Sequence, residues 1–239
     1  MYLDRLRPLA YSGLFGSIYV WLIIALCYRL NPDFVFTQGA FSQFGSPGAN
    51  YPYVYNVFGM IGTGIALMLF SASIVAFSKN RVEVVGGAFL AVASVFLMMI
   101  GVFHGGTYPH DFVSEYFFVQ ADLSILAFGA GLVGERSEKL GAISLTVGVF
   151  APILALAVKF PSSATLEAFG IICIEIWVIS VTFLWDGFGN HKSVRKRVLW
   201  TGPYTIRTKL FYSTIRARWH SAPFGVKKKS TYRNWRETN

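Results

Sequence analysis

Charge is what this sequence has least of. Asp, Glu, Lys and Arg make up only 14% of its 239 residues, against about 25% in an ordinary soluble domain. With 54% hydrophobic residues beside it, so little charge excludes a solvated globular surface. Cysteine is almost missing as well. Cys27 and Cys173 both sit inside apolar runs, which excludes a disulfide framework and a Cys-based zinc motif; two free thiols are expected. No His-Glu-x-x-His or comparable ligand spacing occurs, so no metal is expected. The glycine-rich stretches follow no strand pattern, which rejects a nucleotide fingerprint, and no cofactor is expected. Acid is scarcer than base, 12 residues against 21, for a formal net charge of +9. That excess lies mostly after residue 190. It therefore points to an anionic lipid surface and not to nucleic acid.

What the chain does have is long apolar runs. The first, from about Leu9 to Leu30, is too long for a signal-peptide core and lacks a small-residue cleavage site, so it reads as a retained span. Five more follow, at about Tyr55–Phe77, Val84–Phe103, Phe112–Val133, Leu140–Val158 and Glu167–Trp185. At ~1.5 Å per residue each is long enough to cross a ~30 Å hydrocarbon core. The fold class expected is all-α: a polytopic membrane protein with six transmembrane helices over residues 1–190 and a basic, aromatic-rich cytoplasmic tail over 191–239.

The basic residues orient it. Arg5, Arg7, Lys79, Arg81, Arg136, Lys139 and the tail lie on one side, and only Arg29 and Lys159 on the other. The positive-inside rule then places both termini in the cytoplasm of a cell-membrane protein. The loops at 31–54 and 104–111 face outward. In the tail, Lys192, Arg195, Lys196 and Arg197 follow span six directly, and Lys227, Lys228 and Lys229 lie near the end. Interleaved with aromatics, they suit membrane lipid or a partner protein in a larger membrane complex.

The most informative stretch runs from Gly101 to Asp122. On the fourth span Asp111, Glu115, Phe118 and Asp122 fall within roughly 60° of one another on a helical wheel. This stripe is expected to turn inward, because a carboxyl group facing lipid at the midplane costs ~2.5–3.5 kcal/mol. Val113, Phe117 and Phe128 on the opposite face suit lipid, but Gln120 and Ser124 lie among them, so that face is also expected to pack partly on another helix, with Ser124, Ala127 and Gly131 allowing close approach. Asp122 and Glu175 reach similar depth and could share a proton or a hydrogen bond. With Gln120 they are the intramembrane polar candidates. At the outer mouth, His110 with Asp111 or Glu115 could serve acid–base chemistry, with Ser42 as a nucleophile if a base stands beside it. Gln43, Asn56 and His104 complete the outer polar set. Gly59, Gly62, Gly64, Gly86 and Gly87 read as close helix packing.

Three stretches also match a known pattern. Phe41-Ser-Gln-Phe-Gly45 is similar to a Ser-x-Leu-Gly motif with Phe44 in place of leucine. Tyr55-Asn-Val-Phe58 opens the second span as a Phe-Asn motif does. Gly101-Val-Phe-His-Gly-Gly-Thr-Tyr-Pro-His110 resembles Gly-x-Phe-Pro-x-Gly-x-x-x-His, with His104 where proline is usual. These motifs resemble an uncharacterised family of bacterial and archaeal multi-span membrane proteins, domain of unknown function nine-nine-eight. The resemblance covers about residues 10–185 and leaves out the tail. It implies a six-span fold and supplies no activity.

The leading functional expectation is an accessory or structural membrane subunit that binds lipid or a partner complex and carries an outward-facing polar site. The alternatives are a membrane-embedded hydrolase or transferase acting on lipid at the outer leaflet, and a small proton-coupled transporter.

Overall fold

The apolar runs become helices and the polar breaks become short links. The computed structural model describes residues 3–134 and 137–185. The tail at 191–239, with Lys192, Arg195, Lys196, Arg197, Lys227, Lys228 and Lys229, lies outside the described residues. Among the described residues every regular element is helical. A 3-10 helix, Leu3–Ala10, leads into α1, Tyr11–Leu30. A π-helix, Val54–Ile61, runs without a break into α2, Gly62–Phe77. Then come α3, Arg81–Val102; α4, Tyr108–Leu132; α5, Glu138–Ala157; and α6, Ser163–Leu184.

Five of these helical segments are long and apolar enough to cross a membrane: Leu6–Leu30, Val54–Phe77, Arg81–Val102, Glu138–Ala157 and Ser163–Leu184. The exception is α4. It is 25 residues long, but Asp111, Glu115, Gln120 and Asp122 make it more polar. The outer faces of the bundle are apolar. Tyr11, Phe15, Ile18 and Leu22 form a stripe along α1, each more than half exposed. Water-soluble monomers avoid apolar patches of that extent, whereas hydrocarbon accepts them.

Lipid is as apolar as leucine, so burial alone does not hold helices together in a membrane; close packing does. The widest interface joins α3 to α4. A Cβ placed on Gly86 would stand 2.8 Å from the backbone nitrogen of Phe128, and one on Gly131 would stand 2.8 Å from that of Glu83. The two backbones approach where side chains are missing. Their end is latched by Asn80, whose Oδ1 accepts from the amides of Val82 and Glu83, both at 3.0 Å, and caps α3. Its Nδ2 donates to the Gly131 carbonyl at 2.7 Å. Glu83, fully buried, accepts the Lys79 amide at 2.6 Å. Deeper in the bundle, the ring of Trp177 packs edge-on against Phe70 and Phe128.

This interface overturns the expectation for the fourth span. The face expected to be divided between lipid and another helix is the one that packs: Val113, Phe117 and Phe128 are buried, with Ala121, Ser124 and Ile125 beside them. Asp111 and Glu115 are exposed and Asp122 is half-buried. The small residues Ser124 and Gly131 let α3 come close, and the tight fit along that face sets the rotation of α4. The carboxylates take the remaining side.

The link 31–53 is not a simple loop. Asn31 and Asn50 tie its two ends: the Asn50 amide donates to Asn31 Oδ1 at 2.8 Å and its Nδ2 to the Leu30 carbonyl at 2.9 Å. Between them a 3-10 turn, Phe41–Gly45, drives Phe41 and Phe44 inward, where both are buried. Phe34 stacks on Phe41 and packs tilted against Phe44. This aromatic cap is pinned to the start of α6. Ser162 and Thr165 form a reciprocal capping box there, and the Ser162 hydroxyl also donates to the Phe36 carbonyl at 2.6 Å. The Ala164 amide donates to the Gly39 carbonyl at 2.9 Å.

Candidate functional site

Beneath the aromatic cap lies a cavity of about 100 Å³, partly open to the surroundings. Its walls come from α1, the π-helix and α2, α3, α4 and α6. They are mostly aliphatic and aromatic, with Val20, Ile24, Leu97, Ile100, Phe117 and Ile171 among them. The polar groups on the wall are few: Glu167, Glu175, His110, Tyr55, and the hydroxyls of Ser17, Ser42, Thr63 and Ser114. An apolar cavity with a handful of convergent polar groups is the usual form of a small-molecule site.

Each polar group is placed by local structure. On α6, Glu167, Ile171, Ile174, Glu175 and Val178 all line the cavity; their spacing of four, seven, eight and eleven is one face of a helix. Glu167 Oε2 accepts the Phe41 amide at 2.8 Å, so the same carboxylate that lines the cavity holds its cap. Glu175 Oε2 accepts Nε1–H of Trp21, on α1, also at 2.8 Å. Pro109 stands in the first turn of α4, where its missing N–H is harmless, and the next residue, His110, is buried. His110 Nδ1 lies 2.7 Å from the Phe103 carbonyl. A carbonyl only accepts, so Nδ1 carries the proton, and in the neutral ring Nε2 is the acceptor. Ser114 Oγ lies 3.5 Å from that Nε2.

The structure brings some of the expected residues together and separates others. His110 and Ser42 share the cavity wall. Asp111 and Glu115 do not join them; they lie in a separate shallow concavity with Gly106, Thr107 and Tyr108. No hydrogen bond joins Asp122 to Glu175: the second lines the cavity and bonds to Trp21, the first does neither. Gln120 is half-buried on α4. Asn56 Nδ2 donates to the Gly45 carbonyl at 2.9 Å and anchors the cap. His104 Nδ1 lies 3.0 Å from the Gly105 carbonyl, and Gln43 is exposed. Gly105 sits so close to the cap that a Cβ there would be 3.0 Å from the Ser42 carbonyl oxygen. Cys27 and Cys173 are both free. Among the described residues no three His, Cys, Asp or Glu side chains gather as a metal site.

Five residues of this site, Glu167, Trp21, Ser17, Thr63 and Ser114, do not stand out in the sequence. Glu167 reads there only as the start of a span, although its spacing to Ile171, Ile174 and Glu175 is a usable signal. Trp21 carries none, since a tryptophan in an apolar run is ordinary.

A helical bundle with lipid-compatible outer faces and an internal apolar cavity is a membrane protein of the polytopic kind. The chain belongs to the family described as Protein of unknown function (DUF998), whose match spans residues 14–184 and so takes in nearly all of α1 through α6. No curated protein and no solved structure matches it.

Proposed function

We propose that this is a six-span cell-membrane protein with cytoplasmic termini that holds a lipid or similar amphiphile inside its bundle and acts as a non-catalytic accessory subunit. The cavity carries this reading. Its walls suit hydrocarbon, and its few convergent polar groups suit one headgroup. The length of α4 supports a sixth span, since 25 residues at ~1.5 Å each exceed the hydrocarbon thickness. The basic composition of the tail supports contact with anionic lipid or a partner complex on the cytoplasmic side.

The test is a cavity-filling change. Ile171 is half-buried on the wall, and Ile171→Trp would take up much of the space. Mass spectrometry of the material that co-purifies with the full chain should find one amphiphile enriched over bulk membrane lipid, and the Trp variant should lose most of it. Equal bulk-lipid profiles for both chains would sink the reading.

Orientation has its own test. Gly48 is exposed with nothing near its Cβ position, and Tyr108 is 99% exposed. Cysteines placed there, in a Cys27→Ala, Cys173→Ala background, should react with an impermeant maleimide on intact cells. Labelling of both only after lysis would invert the topology.

A further inference from the structure

The amphiphile proposed above needs a headgroup, and the cavity restricts its chemistry. Glu167, Glu175 and His110 line the wall, and among the described residues no lysine or arginine does. An anionic head would therefore meet two acidic side chains and no counter-charge. Both carboxylates are also short of donors. Each accepts one hydrogen bond, from a backbone amide at Glu167 and from the Trp21 indole at Glu175, whereas an ionised carboxylate accepts up to about four. The shortage is sharpest at Glu175. Its Oε1 is buried without a partner, and so is the Thr63 hydroxyl oxygen on the same cavity. His110 Nε2, the ring nitrogen turned away from the Phe103 carbonyl, is an acceptor in the neutral form. The polar wall thus holds two carboxylates, a histidine and several hydroxyls that can donate or accept, and among the described residues no cation.

Resting on the cavity reading, we propose that the site takes a lipophilic amine, its protonated nitrogen held at Glu175 and its hydrocarbon body against the aliphatic wall. An ammonium brings up to three donors and one positive charge to a carboxylate that has an unfilled oxygen. Pairing removes the cost of a lone charge at membrane depth. The hydrocarbon body explains why the remaining wall is Val, Ile, Leu and Phe. A second carboxylate, Glu167, lies eight residues along α6, ~12 Å away. That is too far for the same nitrogen, and it gives a second donor group on a longer molecule, as in a diamine, a place to end.

The test compares probes of one chain length. The full chain is placed in phosphatidylcholine nanodiscs, and saturable binding of radiolabelled dodecylamine, dodecanol and dodecanoic acid is measured against empty discs. Dodecylamine should bind more tightly than the alcohol, and the acid least. Glu175→Gln keeps an acceptor for the Trp21 indole. It should weaken amine binding about tenfold or more, the loss of a charge-assisted bond, and weaken dodecanol binding far less, since the amide oxygen still accepts a hydroxyl. Acid bound as tightly as amine, or amine binding indifferent to Glu175→Gln, would overturn the amine assignment and leave the cavity reading standing. No saturable binding of any probe would overturn both. The amine-over-acid preference of the unaltered chain is decisive even where the variant does not fold.

Discussion

Gly86→Leu should destabilise the bundle by ~3 kcal/mol or more, the upper end of what overpacking costs. Even a single methyl at this position would stand 2.8 Å from the Phe128 nitrogen and 3.0 Å from its Cα. Backbone cannot step aside as the tip of a side chain can. The α3–α4 pair would have to separate, and in lipid that separation removes the very packing that holds two helices together. It would also pull at the Asn80–Gly131 bond, since Asn80 leads α3 and Gly131 closes α4. The series Gly86→Ala, Gly86→Val, Gly86→Leu should lose melting temperature in detergent stepwise. Gly48→Ala, with open space around it and no unusual backbone angle, should change nothing. A Gly86→Leu chain that melts with the parent would mean that α3 and α4 are not packed through this point.

Glu167→Leu should open the cap. The change removes the acceptor of the Phe41 amide, and leaving a buried donor unsatisfied costs ~1–3 kcal/mol. The effect reaches further than one bond, because Phe41 is the ring on which Phe34, Phe36 and Phe44 stack. The bonds of Ser162 to Phe36 and of Ala164 to Gly39 remain, but the aromatic group loses the one that holds its central ring. Two readings should move together: proteolysis within residues 31–53 should speed up, and the co-purifying amphiphile should fall severalfold. Glu167→Gln keeps a carbonyl oxygen in the same place and should preserve the cap. Rapid cleavage in both variants would show that charge, and not the hydrogen bond, secures the segment. Slow cleavage in both would remove Glu167 from any role in the cap.

Much of the architecture is legible in the sequence because it rests on length and composition. The apolar runs become helices, and each break at Lys79–Asn80, Pro109 or Pro161–Ser162 falls beside a helix end. The glycines of the second and third spans are close-approach points. The rotation of α4 is only partly legible: Ser124 and Gly131 mark the face that packs, while the carboxyl stripe points the other way. Apolar residues surround that helix, so its wheel has no dry side to announce; a rule that hides carboxylates is outweighed by the shape of Gly86, Ser124 and Gly131. The candidate site is half legible. Chemistry and position suffice to find His110 and Ser42. They do not find Glu167 and Trp21, whose roles come from pairings 126 and 154 residues apart in the chain, and no local pattern encodes such a distance.

The π-helix at Val54–Ile61 bears on how mutations there would read. Each of its turns takes up one residue more than an α turn, so the segment stores slack in the winding of the chain. Removing a single residue, such as Val57, would let the stretch tighten into ordinary α-helix without shortening any span below membrane length. The tightening would take up the missing residue, so the helix on either side would keep nearly its original phase, with Tyr55 still on the cavity wall and Asn56 still within reach of Gly45. The same deletion in plain α-helix would turn everything beyond it by about 100°. The winding thus works as a buffer: it absorbs a change in chain length that would otherwise swing the lid around the axis.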